Sequence, residues 1–151
     1  IEIEKGDRIP LIPQHVLKAS AEWAVTEVAS LNLDMIFVSG VFARGNENNR
    51  HQADGVYYLG PGKTDDYAVF NLGGDWRASS GLTLFVQINN LFGQKYASAA
   101  QLGATGFDAN GNFVARPFNA PVIDDERPLL SSTFYAPGAP RAATIGARFR
   151  F

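Results

Sequence analysis

The sequence predicts an all-β fold made of antiparallel strands, and three observations support this prediction. Apolar and polar residues alternate with a period of two over long stretches, which is the pattern of a strand with two different faces. No stretch of useful length repeats its apolar residues with the period of an amphipathic helix. Short and long connections follow each other between these stretches, which indicates neighbouring strands joined at alternate ends of a sheet.

Five stretches carry the alternation, and the clearest is "TLFVQIN", residues 83–89. Leu84, Val86 and Ile88 share one face there, while the other face is mostly polar. The stretch 31–45 alternates least cleanly, because apolar residues fall on both of its faces. The predicted strands lie near residues 15–26, 31–45, 64–78, 82–92 and 141–151.

The connections predict a sheet whose two ends differ. Short turns are expected near residues 27–30 and 78–81, and long loops at residues 45–62 and 96–140. Short turns at one end and long loops at the other are typical of an outer-membrane barrel. A soluble sandwich usually has moderate connections at both ends.

Aromatic residues fall at two levels of the predicted sheet, which favours strands that cross a membrane. The alternative is that these rings form the core of a soluble sandwich, since strands favour aromatic residues in general. The residues near the short turns are Trp23, Trp76, Phe149 and Phe151, and those near the long loops are Phe92 and Tyr96.

Composition excludes several classes of protein. The net charge is -2 over 151 residues, so there is no broad electrostatic case for a nucleic-acid partner. Without cysteine, the chain has no disulfides, zinc–thiolate sites or thiol catalysis. No apolar run reaches the about 18 residues of a membrane-spanning helix, whereas a spanning strand needs only about 9–11 residues.

The number of strands and the start of the chain predict a larger protein. About eight strands are the smallest common barrel, so five strands would need partners from further upstream, or the chain is not a barrel. Met35 is the only methionine, and the opening "IEIEKGDRIP" has no signal segment. The sequence is therefore expected to be a piece of a longer or processed polypeptide.

Motifs for enzyme chemistry are weak. "GPGKTDD", residues 60–66, lacks the first glycine of a phosphate-binding loop, because that position is Tyr57. "FDANGNF", residues 107–113, lacks the downstream glutamate of a calcium loop and predicts a small hairpin around an Asn-Gly turn. His15 and His51 lie on different segments, so no metal site is expected. We predict that the chain is not an enzyme and has no cofactor.

Charged residues of the two long loops are the candidates for contact with a ligand or with cations on lipopolysaccharide, although solvated loop charges are the commoner case. The candidates are Arg50 and His51 in the first loop, and Asp124, Asp125 and Arg127 in the second.

Three segments carry motifs of a known family. "YAPGAPRAATIGARFRF" closes the chain, "INNLFGQKYAS" covers residues 88–98, and "GDRIPLIPQHVLKASAEW" covers residues 6–23 with a Pro-x-x-Pro-x-His entry. They resemble, in order and spacing, the last strand, the end of the penultimate strand and an earlier strand entry of TonB-dependent outer-membrane receptors.

The resemblance implies a barrel of about 22 strands plugged by an N-terminal domain, of which this chain would supply the last five strands. It implies uptake of a scarce ligand, such as a ferric siderophore, haem or cobalamin, with energy transmitted by the TonB complex. Implied partners are the upstream barrel and plug, outer-membrane lipid, a small-molecule metal chelate, and the barrel-assembly machinery that would recognise Phe149 and Phe151. The C-terminus would then lie on the periplasmic side.

Two alternatives stay open from the residues. One is a soluble all-β binding or interaction module with its aromatic residues in a sandwich core. The other is a plug-less, substrate-specific porin that shares only the terminal strand.

Overall fold

The computed structural model describes residues 2–51, 58–107, 110–113 and 131–151, and all regular structure in these residues is β. No helical segment in these ranges reaches the length and hydropathy needed to span a bilayer. The strands are β1 Val16–Thr26, β2 Ala29–Val38, β3 Tyr58–Leu59, β4 Tyr67–Ser79, β5 Leu82–Asn89, β6 Ala97–Ala104, β7 Ser131–Pro137 and β8 Ala142–Phe149.

The chain divides into two compact units. The sheet unit comprises His15–Ser39, Asp66–Tyr96 and Gly138–Phe151, and the loop unit comprises Ile1–Gln14, Gly40–Asp65 and Ala97–Pro137. The all-β, antiparallel prediction is confirmed, with five strands in the main sheet.

The sheet unit is an antiparallel sheet in the order β1-β2-β4-β5-β8. Residues 27–28 join β1 to β2, and residues 80–81 join β4 to β5, so both tight turns lie at one end of the sheet. A register shift lies beside each turn, between Ala24 and Thr26 and between Arg77 and Ser79. Such bulges increase the local twist and re-aim the strand into the turn.

The register joins the alternation of the separate strands into two continuous surfaces, because each apolar position faces another apolar position on the next strand. We call the first surface the apolar face; it consists of Leu17, Ala19, Ala21, Trp23, Ala29, Leu31, Leu33, Met35, Phe37, Ala68, Phe70, Leu72, Gly74, Trp76, Leu82, Leu84, Val86, Ile88, Ala143, Ile145, Ala147 and Phe149.

The opposite surface, which we call the polar face, is mostly charged or amide-bearing. It also carries four apolar residues at the end away from the short turns, Val16, Ile36, Val38 and Val69. Phe85 is a further apolar residue, and its ring lies over Gly146 of β8, where any Cβ would clash with the ring. The Arg148 guanidinium lies 5.9 Å from the centre of the same ring, within the range of a cation–π contact. The polar face includes Lys18, Ser20, Glu22, Asn32, Asp34, Asn71, Asp75, Arg77, Thr83, Phe85, Gln87, Thr144, Gly146 and Arg148.

Asn90 ends β5. Its φ is 51°, a left-handed value that stops the strand and that asparagine adopts more readily than most residues. The buried side chain accepts from the Gln94 N–H at 2.8 Å and donates to the Gln94 and Ala139 carbonyls at 2.9 and 3.0 Å. These bonds explain the second amide of "INNLFG", whereas Asn89 is exposed.

The loop unit contains a second, smaller sheet in the order β3-β7-β6, in which β3 and β7 are parallel. The long connection 96–140, which we expected to be a loop with at most a small hairpin, thus contains β6 and β7. The expected hairpin is present as an antiparallel bridge between Phe107 and Phe113. β6 and β7 consist mainly of small residues, so no alternation of large apolar residues marks them in the sequence.

The strand bounds also differ from the expected ones. β2 ends at Val38, before the predicted end at residue 45, because the chain leaves the sheet at Gly40. Val41 and Ala43, which we had assigned to the strand, are buried inside the loop unit. The segment with apolar residues on both faces therefore contains the end of β2 and the start of the loop unit.

Candidate functional site

The residues of the apolar face are exposed or half-buried, apart from the buried Gly74, and this accessible surface is the main functional feature of the sheet unit. Every residue of β1 is exposed, and Trp23, Ile145 and Phe149 are 67%, 82% and 64% accessible. A soluble sheet buries one face against a core, and monomeric soluble proteins rarely expose so large an apolar patch. The arrangement is that of a sheet with an apolar medium on one side and water on the other.

The closing strand reaches the end of the chain in this arrangement. The Arg150 N–H donates to the Gly81 carbonyl at 2.9 Å, so pairing with the turn continues beyond β8. Phe149 pairs with Leu82 on the apolar face, and Phe151 is fully exposed. The two phenylalanines predicted as an assembly signal thus lie at the short-turn end of the sheet.

The loop unit is organised around buried polar side chains. Asn46, 1% exposed, donates from Nδ2 to the Gly62 carbonyl at 3.0 Å and accepts from the His51 N–H at 3.0 Å. Thr133 accepts from the Gly62 N–H at 2.9 Å. Gly62 has a φ of 64°, and a Cβ there would meet both His51 and Asn46, so glycine is required.

Arg50 and His51, the described candidates of the first loop, lie side by side in this unit with different surroundings. Arg50 Nη2 lies 2.6 Å from Glu4 Oε1, and both side chains are more than half exposed. His51 is tied to the loop, since Nε2 lies 3.2 Å from the Gly60 carbonyl oxygen. Arg50 is therefore open to solvent, and His51 has a structural role as well.

The candidates of the second loop, Asp124, Asp125 and Arg127, lie outside the described residues. Within the described ranges, no group of three or more histidine, cysteine, aspartate or glutamate side chains is placed to hold a metal ion.

A pocket of about 310 Å³ in the loop unit was not predicted from the sequence. Leu11, Gln101, Phe134 and Tyr135 line it together with Arg44. No separate motif marks it, because its residues come from four distant segments. What these residues have in common chemically is a cation near aromatic side chains, an arrangement that can hold a planar anion.

The position of Arg44 in this pocket is fixed by its backbone. Its N–H donates to the Ala100 carbonyl at 2.9 Å, and its carbonyl accepts from the Leu102 N–H at 2.8 Å. In the part of the chain that the structure describes, no carboxylate pairs with the Arg44 guanidinium. Burial, and then the nearby Asp65 carboxylate, raise the pKa of Tyr135, so its phenol stays neutral at physiological pH. Among the described residues, the pocket thus offers a guanidinium without a carboxylate partner and a neutral phenol.

Comparison with protein families gives a match that covers more than half of the chain. The model of the TonB dependent receptor-like β-barrel family matches residues 2–91. The chain belongs to this family. The recognition made from the three sequence motifs is confirmed, and members of this family are outer-membrane transport receptors.

Individual relatives agree with the family assignment. The ferric enterobactin receptor of Pseudomonas aeruginosa is 26% identical over 119 residues, which cover 78% of this chain and 15% of that receptor. The ferric yersiniabactin uptake receptor FyuA of Yersinia pestis superposes with a TM-score of 0.65 at 16% identity, over 99% of this chain and 18% of that one. For the siderophore receptor PiuA of Acinetobacter baumannii the TM-score is 0.62 at 11% identity, over 95% and 15%.

The likeness to the solved structures supports the barrel fold of this TonB-dependent receptor chain. The chain spans less than a fifth of the length of each of these relatives. In the described residues, β1 and β8 each have one neighbouring strand, so the sheet is open. The sheet is part of a barrel wall, with its apolar face as the surface that a barrel turns towards lipid.

Proposed function

We propose that this chain forms the C-terminal part of the barrel of an outer-membrane receptor that takes up a scarce metal chelate with energy transmitted by TonB. The observation that carries the proposal is the continuous apolar face, exposed on a sheet whose sequence matches the receptor barrel family. An apolar surface of this extent needs lipid on one side, and the charged opposite face needs water.

The two units have different roles in this proposal. The sheet unit anchors the receptor in lipid and lines the plugged lumen with its polar face. The loop unit contributes to the ligand vestibule on the outside, since the long loops of outer-membrane barrels are extracellular. The upstream barrel, the plug and the TonB complex are the proposed partners. The chain carries no catalytic role.

The short-turn end is then periplasmic, and Phe149 and Phe151 serve as the signal for the barrel-assembly machinery. The double substitution Phe149→Arg with Phe151→Arg tests this in the full-length receptor, because cations on the lipid face oppose insertion. We expect outer-membrane levels to fall close to background. Normal levels of the double variant would contradict the proposed signal.

The Arg44 pocket is the part of the chain that we propose as a ligand contact. Arg44, which lines the same pocket as Phe134 and Tyr135, suits an anionic, planar group, such as a catecholate or carboxylate of a ferric chelate. Arg50 and His51, with Asp124, Asp125 and Arg127, stay secondary candidates.

Binding of ferric enterobactin, haem and cobalamin to the full-length receptor tests the ligand class. The Arg44→Ala variant is expected to weaken binding of the preferred chelate about tenfold or more, through loss of a charged hydrogen bond. Lys5→Ala, which removes an exposed cation of the same unit outside the pocket, is the control, with a change below about threefold. Equal binding by wild type and Arg44→Ala would remove Arg44 from the site.

Uptake of the radiolabelled chelate tests the transport class. We expect accumulation in cells that carry the receptor and TonB, and none in cells that lack TonB. Uptake that is independent of TonB would favour the plug-less porin. A chain that stays monomeric and cooperatively folded in plain buffer would favour the soluble module.

A further inference from the structure

The apolar face carries an open groove. A groove of about 410 Å³ follows the row in which Gly74 of β4 stands between Leu31 of β2 and Val86 of β5. Its accessible wall is almost entirely apolar. Trp76, Leu84 and Ile145 also line the groove.

Gly74 creates this groove. At every other position on the apolar face β4 carries a side chain, and the positions on either side of Gly74 are Leu72 and Trp76. The backbone at Gly74 has no left-handed φ, so the chain direction does not require glycine there. A Cβ would lie 3.0 Å from Leu31 Cδ2 and 3.6 Å from Val86 Cγ1, distances that a small shift of Leu31 would relieve. The glycine therefore keeps open a space that a larger residue could fill.

The groove selects for a slender apolar occupant. An unfilled space in a packed surface loses the dispersion contacts of the atoms around it. The wall offers almost no polar atoms to water, so water is a poor occupant. Trp76, with its polar ring nitrogen, lies one row nearer the short turns, where a membrane–water boundary is expected.

We infer that the Gly74 groove binds one acyl chain of a membrane phospholipid. The inference rests on the proposed function, because it requires the apolar face to lie in the outer membrane. The groove is in the half of the sheet next to the short turns, which the proposal places at the periplasmic leaflet. That leaflet is the phospholipid leaflet, so phospholipid is the occupant rather than lipopolysaccharide.

Photochemical labelling tests the groove. The full-length receptor is reconstituted with phosphatidylethanolamine that carries a diazirine at mid-chain, irradiated and analysed by peptide mass spectrometry. We expect labelling of the β4 and β5 residues of the groove to exceed labelling of the rest of the apolar face several-fold. Excess unlabelled phosphatidylethanolamine should reduce this enrichment.

Two variants separate the groove from general contact with lipid. Gly74→Leu fills the groove, and we expect the enrichment to disappear. Ala143→Leu adds similar bulk to an exposed position of the same face outside the groove, and we expect no change. Both variants are compared at equal outer-membrane levels, so that a folding defect is recognised by loss of protein rather than loss of label.

Four results would overturn the inference. They are even labelling along the apolar face, an unchanged enrichment in Gly74→Leu, displacement of the label by lipopolysaccharide but not by phosphatidylethanolamine, and cross-links between two receptor copies at the groove. The failure of the proposed function looks different, since the polar face would then be labelled as strongly as the apolar face.

Discussion

The sheet unit and the loop unit are stabilised in opposite ways. In the described residues, the sheet unit buries few side chains beyond Val69 and Asn90, and most of its large apolar residues are exposed. The loop unit encloses small apolar residues together with Asn46, Thr64 and Thr133, whose polar atoms are hydrogen-bonded within the unit. The sheet therefore depends on the medium around it, and the loop unit on its own internal bonds.

This difference determines which substitutions each unit tolerates. On the sheet, the decisive property is the face to which a side chain belongs, because the two faces meet different solvents. In the loop unit, the decisive property is whether a buried donor or acceptor loses its partner. The largest effects are therefore expected from charges placed on the apolar face, and the smallest from exposed ion pairs.

A charge moved between the two faces of β8 gives the largest expected effect. Ile145 and Thr144 are adjacent, exposed and on opposite faces. Ile145→Arg places a guanidinium on the lipid face, where such a charge costs about 2–4 kcal/mol at mid-bilayer and less towards the interface, so we expect outer-membrane levels of the full receptor to fall several-fold. Thr144→Arg is the control, with levels within about twofold of wild type. Equal losses in both variants would contradict the description of the sheet as having one face in lipid and the other in water.

The hydrogen bonds of Asn90 at the end of β5 give the second-largest expected effect. Asn90→Ala removes the acceptor of the Gln94 N–H and the donor to the Ala139 carbonyl, and leaves alanine in a left-handed conformation. We expect the unfolding free energy to fall by about 3 kcal/mol. Thermal unfolding of the full receptor in detergent measures this change. Asn89→Ala, at the exposed neighbouring position, should lower the transition temperature little. A similar drop in both variants would mean that general strand propensity matters more than the hydrogen bonds of Asn90.

A buried amide of the loop unit gives a local effect. Asn46→Ala breaks the bonds to the Gly62 carbonyl and the His51 N–H, and should favour local opening by about 1–2 kcal/mol. Hydrogen exchange is expected to accelerate about tenfold at the amides of Ala43 and His51 and to stay unchanged in the main sheet. Asn48→Ala, which removes one exposed bond to the Arg50 N–H, is the control. Faster exchange in the sheet as well would show that the two units do not open independently.

The sequence predicts the sheet unit well, and the reason is physical. Period-two alternation over 8 to 13 residues determines which side chains share a face, and it excludes registers shifted by an odd number of residues, because these would place apolar residues on the polar face. The turns at residues 27–28 and 80–81 are too short for any other connection than a hairpin.

The loop unit could not be predicted in the same way. Its strands β6 and β7 consist mainly of small residues, so no alternation of large apolar residues marks them. Asn46 and Thr133 are polar residues in a polar stretch, and only the three-dimensional contacts with Gly62 reveal their burial. Arg44 and Tyr135 meet in one pocket although they are far apart in the sequence.

The ion pair between Arg50 and Glu4 gives the smallest expected effect. Asn49 and Arg8 already join these two segments, because the Arg8 N–H donates to Asn49 Oδ1 at 2.5 Å and Asn49 Nδ2 donates to the Arg8 carbonyl at 3.0 Å. The exposed pair therefore adds about 0.2–1 kcal/mol at most, and salt screens that contribution.

Glu4→Gln removes the negative charge of this pair and leaves the side-chain shape nearly unchanged. We expect hydrogen exchange in residues 45–51 to rise less than about fivefold at low salt, and the difference from wild type to vanish at about 1 M salt. Glu2→Gln removes the same charge from an exposed position nearby and corrects for the change in net charge. A large, salt-independent rise in Glu4→Gln alone would show that this exposed ion pair, rather than the buried bonds of Asn46, determines the stability of the loop unit.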